Sequence, residues 1–245
     1  MRKLLLLCLL APLMIMGQNE SIILNLTHVN VKMGHEAQFM EGMKMYKKCY
    51  TDNNGDSGWN AWRQVQGKGM TMAITDTMEK WAEMDDDSDA AGNSCRAVFM
   101  SFIMPHVSGY ESAMATTMPE MSPASDVSKD KVWVTYFRVN NSTDFLDAVK
   151  TVGEALQEIE GSKRGYWYAF AGGGQDSADY MVAWPFDKYA DLDKPMDGVW
   201  EVCAKKHGKK KADEVRAKFR NALADSWSYI YDKNDDLTYT VAASN

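Results

Sequence analysis

Four side chains hold most of the chemistry this sequence offers, and they occupy matched places. His28 and Asn30 stand two residues apart, and Tyr136 and Arg138 repeat that spacing 108 residues later. On an extended chain, residues i and i+2 share a face, so each pair projects together. An imidazole with an ordinary pKa near 6.5 can act as a general base at neutral pH. His28 and Tyr136 are therefore the catalytic candidates, and His28, Asn30, Trp62, Tyr136 and Arg138 the candidate ligand-binding set. Large aromatics such as Trp59, Trp62, Trp167, Tyr168 and Phe170 can line a cavity for a flat, apolar ligand that a few polar groups orient. The competing reading is that the polar groups are hydrogen-bonded filler and the rings ordinary core.

Other motifs give less. Asp85 to Asp89 starts like a calcium loop, but Ala90 stands where the sixth-position Gly belongs and Arg96 where the Glu belongs. Met40, Met43, Met45, Met70 and Met72 could offer soft thioethers to Cu(I), yet their spacing fits adaptable core packing. No Cys/His spacing suggests zinc, so no metal is expected. The run Ala171-Gly172-Gly173-Gly174-Gln175 joins two strands and does not open a helix, which makes it a turn and not a phosphate cradle.

The elements that position these residues come in two copies. Thr77 to Asp85 recurs as Pro185 to Asp193, Thr27 and Val31 as Thr135 and Val139, and Trp59, Ala61 and Trp62 as Trp167, Ala169 and Phe170, all at the same 108-residue offset. Three blocks in one register indicate one unit used twice. In the first copy the pattern predicts a strand over 22–31, a helix over 36–50 and strands over 59–65 and 70–75. A helix capped by Thr77 and a closing strand over 97–104 complete it. The second predicts strands over 132–139, 166–170, 179–184 and 226–231, a helix after a Ser142 or Thr143 cap, and an extra helix near 212–223. Alternation puts Val29, Val31, Phe137 and Val139 against the helices and His28, Asn30, Tyr136 and Arg138 between the sheets.

A βαββαβ unit is the ferredoxin-like motif, with helices on one face of its sheet only. Two such sheets in one chain can cover each other. In element order and duplicated blocks the chain resembles the dimeric α+β-barrel superfamily, which includes antibiotic-biosynthesis-type monooxygenases, fused here as a tandem pseudo-dimer. The resemblance implies an α+β fold: two tandem ferredoxin-like βαββαβ repeats packed sheet to sheet as an intrachain pseudo-dimeric barrel. Haem-degrading members use an Asn, a Trp and a His. Asn30 and Trp62 or Trp59 match the first two, but no His lies between Thr77 and Cys95 or between Pro185 and Lys206. No cofactor is expected.

Residues 1–17 read as an export signal: Arg2 and Lys3, an apolar run from Leu4 to Met16, then Gly17. The expected organisation is the signal at 1–17, a first repeat over 18–117, a linker over 118–130 and a second repeat over 131–245. No later stretch is apolar enough to span a bilayer, so an exported, soluble chain in the periplasm or outside the cell is expected. An oxidising compartment permits a disulfide, with Cys49 and Cys95 as the first pairing because both belong to the first copy. The formal charge of −7 argues against a nucleic-acid partner. The Lys-rich run from Lys205 to Lys211 reads as a solvated turn between helices.

Three function classes follow. The leading one is a binder of a small, largely apolar molecule between the sheets. The others are a cofactor-independent monooxygenase-like barrel enzyme and a structural or stress-related envelope protein whose barrel is filled. A fused pseudo-dimer needs no second chain to cover its sheets, so a monomer is expected.

Overall fold

The computed structural model describes residues 21–85, 88–125 and 128–241. Residues 1–17, expected to be an export signal, fall outside them, as do Asp86 and Asp87 of the acidic run. Element order is β1 (Ile23–Val31), α1 (Glu36–Asp52), β2 (Asn60–Gln64), β3 (Met70–Met78), α2 (Ala90–Val98) and β4 (Val107–Thr117). After these come β5 (Lys131–Val139), α3 (Ser142–Glu160), β6 (Tyr166–Phe170), β7 (Tyr180–Phe186), α4 (Val199–His207), α5 (Lys209–Ala222) and β8 (Leu223–Lys233).

The strands form one closed antiparallel barrel in the order β1-β3-β2-β8-β5-β7-β6-β4. The expectation of two sheets packed face to face is refined here. The edge strands β2 and β8 pair with each other, and so do β4 and β6, so the halves are hydrogen-bonded into a single sheet. The joining ladders are short, Trp62–Gln64 with Tyr231–Lys233 and Ala115–Thr117 with Tyr168–Phe170, and they close the barrel.

Alternation sorts the strand residues as expected. Val31 packs with Phe39, Met43 and Met72 under α1, with Val29 at the margin. Phe137 packs with Phe145, Val149 and Ala222 under α3 and α5, with Val139 and Trp167 beside them. The opposite faces of the same strands send Leu26, Ala73, Ala115, Val134, Tyr136, Met181 and Tyr231 into the barrel. Trp59 and Trp167 therefore belong to the helix-side cores, whereas Trp62, Tyr168 and Phe170 belong to the interior.

Three local expectations are corrected. Thr77 does not cap a helix: it pairs with Leu24 inside β3, and Trp81–Asp85 is a short 3-10 turn. The cap of α2 is Asp89, whose carboxylate accepts the Gly92 N–H. Residues 97–104 are not the closing strand. They finish α2, make a π turn over Phe99–Ile103 and enter a 3-10 turn over Met104–His106, leaving the strand to Val107–Thr117. A short apolar run without alternation is ambiguous between the two periods, and burial of Ile103 against α1 decides it. The π turn reaches α1 only because position 42 is glycine; a Cβ there would clash with the Phe102 carbonyl. The cap of α3 is Asn141, accepting from the Asp144 N–H at 3.0 Å, in place of Ser142 or Thr143.

Cys49 on α1 and Cys95 on α2 form a disulfide, while Cys203 is a buried free thiol on α4. The Lys-rich run lies at the junction of α4 and α5, where Gly208 takes φ +82°. Among the described residues no helix is long and apolar enough to cross a membrane.

Candidate functional site

Three inward-facing side chains from β1, β5 and β8 meet in the middle of the barrel. The Tyr231 hydroxyl lies 3.2 Å from His28 Nε2, the Tyr136 hydroxyl 3.5 Å from the same nitrogen, and the two hydroxyls 3.4 Å from each other. Register brings them together: His28 and Tyr136 hold equivalent places on β1 and β5, and Tyr231 pairs with Val132 across the β5–β8 ladder. Both tyrosines are buried, and Trp227 and Phe170 flank the Tyr136 ring in stacked geometry at 5.7 and 6.3 Å.

Burial fixes the protonation of this cluster. It lowers the His28 pKa below 6.5, and Glu111, opposite His28 in the β1–β4 ladder, only partly opposes the effect. Burial raises Tyr136 well above 10, a shift reinforced by Tyr231, and pushes Tyr231 up to about 12. At neutral pH the phenols are therefore protonated donors and the imidazole is neutral. The nearer hydroxyl, that of Tyr231, can donate to the single Nε2 lone pair and accept from Tyr136, which leaves the imidazole proton on Nδ1.

Above this floor the barrel is open. A cavity of about 870 Å³ is lined by His28, Asn30, Gln64, Glu111, Tyr136, Phe170, Trp227, Tyr229 and Tyr231, with the loop Gly172–Ser177 along its rim. That volume lies within the roughly 300–1,000 Å³ of small-molecule sites. Leu26, Tyr136 and Tyr231 also border a second cavity of about 260 Å³ at the opposite end. They form a partition across the barrel.

The structure places the sequence-derived residues in three settings. His28 and Tyr136 meet on the cavity floor, and Asn30 lines its mouth, accepting from the Thr71 hydroxyl at 3.0 Å. Trp62 faces the second cavity beyond the partition, donating its indole N–H to Thr75 at 3.0 Å. Arg138 does not line the cavity. Its guanidinium donates to Asp176 at 2.9 Å and to the Gln175 carbonyl at 3.3 Å, so it anchors the rim loop.

Sequence reasoning missed Tyr231, Glu111, Trp227 and Tyr229. The signal for three of them was present in Trp227-Ser228-Tyr229-Ile230-Tyr231, an aromatic at every second position. For Glu111 there was none, because β4 was expected elsewhere.

No family model and no curated protein matches the chain. Solved structures do. An anthrone oxidase-like protein matches with a TM-score of 0.53 and 9% identity over 93% of this chain and 98% of its own. A protein described as a monooxygenase from Lactobacillus acidophilus NCFM matches with a TM-score of 0.51 and 7% identity, covering 91% and 97%. A chlorite dismutase variant from Candidatus Nitrospira defluvii, in complex with cyanide, matches with a TM-score of 0.51 and 7% identity, covering 88% and 92%.

Haem is the group this likeness brings into question, and the residues present do not fit an axially ligated one. No histidine lines either cavity between sheet and helices. Nε2 of His28 lies within reach of two phenols, His35 and His106 bond to each other, and His207 is exposed at the end of α4. At these identities the likeness is one of fold: the chain shares with these structures an α+β architecture around an antiparallel eight-stranded barrel, here closed within one polypeptide.

Proposed function

We propose that this chain binds a small, largely apolar molecule in the barrel cavity, with a hydrogen-bonding end of the ligand against His28, Tyr136 and Tyr231. The observation that carries the reading is the 870 Å³ of open space directly above a buried polar cluster. A barrel serving only as a filled scaffold would have its aromatic side chains closing that space. Trp227, Phe170 and Tyr229 instead wall it, offering flat apolar faces, while Asn30, Gln64 and Glu111 supply further polar contacts.

A second reading is favoured by the place of His28, whose Nε2 meets the Tyr231 hydroxyl on the cavity floor where burial lowers its pKa. A neutral imidazole can accept a proton from an acidic O–H or C–H of the ligand once the ligand displaces the Tyr231 hydroxyl from Nε2. This is the first step that cofactor-independent oxygenation requires of a protein. The names carried by structures of this fold, monooxygenase and anthrone oxidase-like, are in keeping with it.

The wider organisation belongs to the same proposal. Two ferredoxin-like repeats, over 18–117 and 131–245, joined by a linker over 118–130, are supported by features repeated at the 108-residue offset. A bulge separates Asn30 from Val31 in the β1–β4 ladder and Arg138 from Val139 in the β5–β8 ladder. Thr27 and Thr135, which keep that offset, each share a 2.8 Å hydroxyl contact with a serine of the adjacent closing strand, Ser112 on β4 and Ser228 on β8. Export after cleavage near Gly17 is supported by the leader's charge and apolar pattern, and fits the Cys49–Cys95 disulfide. Monomeric behaviour is supported by closure of the barrel within one chain.

The test uses 2-naphthol, a flat probe with one hydroxyl, titrated against tryptophan fluorescence. Saturable quenching that is lost in Trp227→Phe and weakened at least tenfold in Tyr231→Phe supports the cavity as the site. Quenching unchanged in both variants overturns it. The enzyme reading additionally requires turnover of a bound substrate that disappears in His28→Ala and in Tyr136→Phe while the fold is retained.

A further inference from the structure

The chain has four histidines, and two of them, 71 residues apart, meet outside the barrel cavity. The Nδ1 atoms of His35 and His106 lie 2.8 Å apart, with ring centroids at 5.1 Å. From this geometry we infer that His35 and His106 form a two-imidazole clip for a first-row transition-metal cation such as Zn²⁺ or Ni²⁺.

The backbones beneath the two rings are tied together. The Lys32 N–H donates to the His106 carbonyl at 2.8 Å, the Lys32 ammonium to the Pro105 carbonyl at 2.7 Å, and the His35 N–H to the Lys32 carbonyl at 3.0 Å. His35 occupies the N-cap position of α1, yet its side chain does not cap the helix and is directed to His106. His106 closes the 3-10 turn that leads into β4. The pair thus bridges the corner after β1 and the start of β4, and both residues are half-buried.

Two neutral imidazoles in this arrangement share one proton, one Nδ1 donating and the other accepting. A cation takes the place of that proton, which passes through solvent to Nε2 of the donor ring, and engages both Nδ1 lone pairs at once. Tetrahedral coordination at about 2.0–2.1 Å sets the two nitrogens roughly 3.3 Å apart, so the rings need open by only about half an ångström. Imidazole nitrogen suits zinc, copper and nickel. Among the described residues no group of three or more His, Cys, Asp or Glu converges on a point. Water therefore completes the coordination, and the site is open-sided and exchangeable. Metal bound there fastens the β1–α1 corner to β4, and the folded state gains the binding free energy.

The test is a calorimetric titration of the untagged full chain with Zn²⁺ and with Ni²⁺. One saturable site per chain is expected, weakened at least tenfold in His35→Gln and in His106→Gln and unchanged in His207→Gln. Glutamine keeps a hydrogen-bonding group between the two segments, so the variants should retain the fold. Ring ¹⁵N signals of the unmodified protein give an independent reading: those of His35 and His106 should shift on adding Zn²⁺ while those of His28 stay. Absence of a saturable site, binding that survives both glutamine variants, or shifts confined to His28 or His207 would each overturn the inference.

Discussion

Replacing His28 with glutamine should abolish one specific component of the pH dependence of stability. Burial holds the His28 pKa below 6.5 in the folded chain, and Glu111 opposes this only in part. In the unfolded chain the same imidazole takes up its proton near 6.5. Between these two values the unfolded state binds more protons than the folded state, so stability falls as the pH drops. The contribution is fully present above pH 6.5 and is lost progressively below it, down to the depressed folded value. For one proton the limiting slope is about 1.4 kcal/mol per pH unit. Glutamine can still accept the Tyr231 hydroxyl but does not titrate. The assay is urea unfolding of both proteins at several pH values from about 7 to about 5, at constant ionic strength. Taking the difference between the proteins cancels the other ionisable groups. The stability difference, wild type minus variant, should shrink as the pH falls, by no more than the single-proton slope. A flat difference would refute the claim that burial keeps His28 neutral. A difference growing towards low pH would mean that Glu111 stabilises a charged imidazole.

Two further outcomes follow from the architecture. The Cys49–Cys95 bridge spans 46 residues, so the loop-entropy model gives it about 4 kcal/mol, which Cys49→Ser/Cys95→Ser should lose in denaturant unfolding; a loss under about 1 kcal/mol would indicate a compact unfolded state. Arg138→Ala should cost at most about 1 kcal/mol, because its ion pair with the fully exposed Asp176 is a surface one. It should nonetheless speed amide exchange across Gly173–Ser177, and unchanged exchange would show that the rim loop does not depend on Arg138.

Much of the fold was legible because blocks matched at one 108-residue offset carry the same strand pattern. The offset linking Thr27 and Val31 to Thr135 and Val139 located equivalent strands, and β6 falls on the expected residues, Tyr166–Phe170. What could not be read was set by packing. Residues 97–104 are apolar without alternation, and only their burial against α1 at Gly42 makes them helical turns. The site was half legible. Strand alternation put His28 and Tyr136 inside, but Tyr231 enters through the register of β8, and Trp62 is separated from His28 by the partition that Leu26, Tyr136 and Tyr231 make. His35 and His106 lie in turns 71 residues apart, where no periodicity links them.

Native mass spectrometry of the chain purified from its own host decides whether a ligand is held in the barrel cavity. The measurement is made beside Ala113→Trp, which fills the cavity from β4. A reproducible bound small-molecule mass is expected on the wild-type chain and a bare chain for the variant. A bare mass for both, or the same adduct surviving in Ala113→Trp, would contradict it.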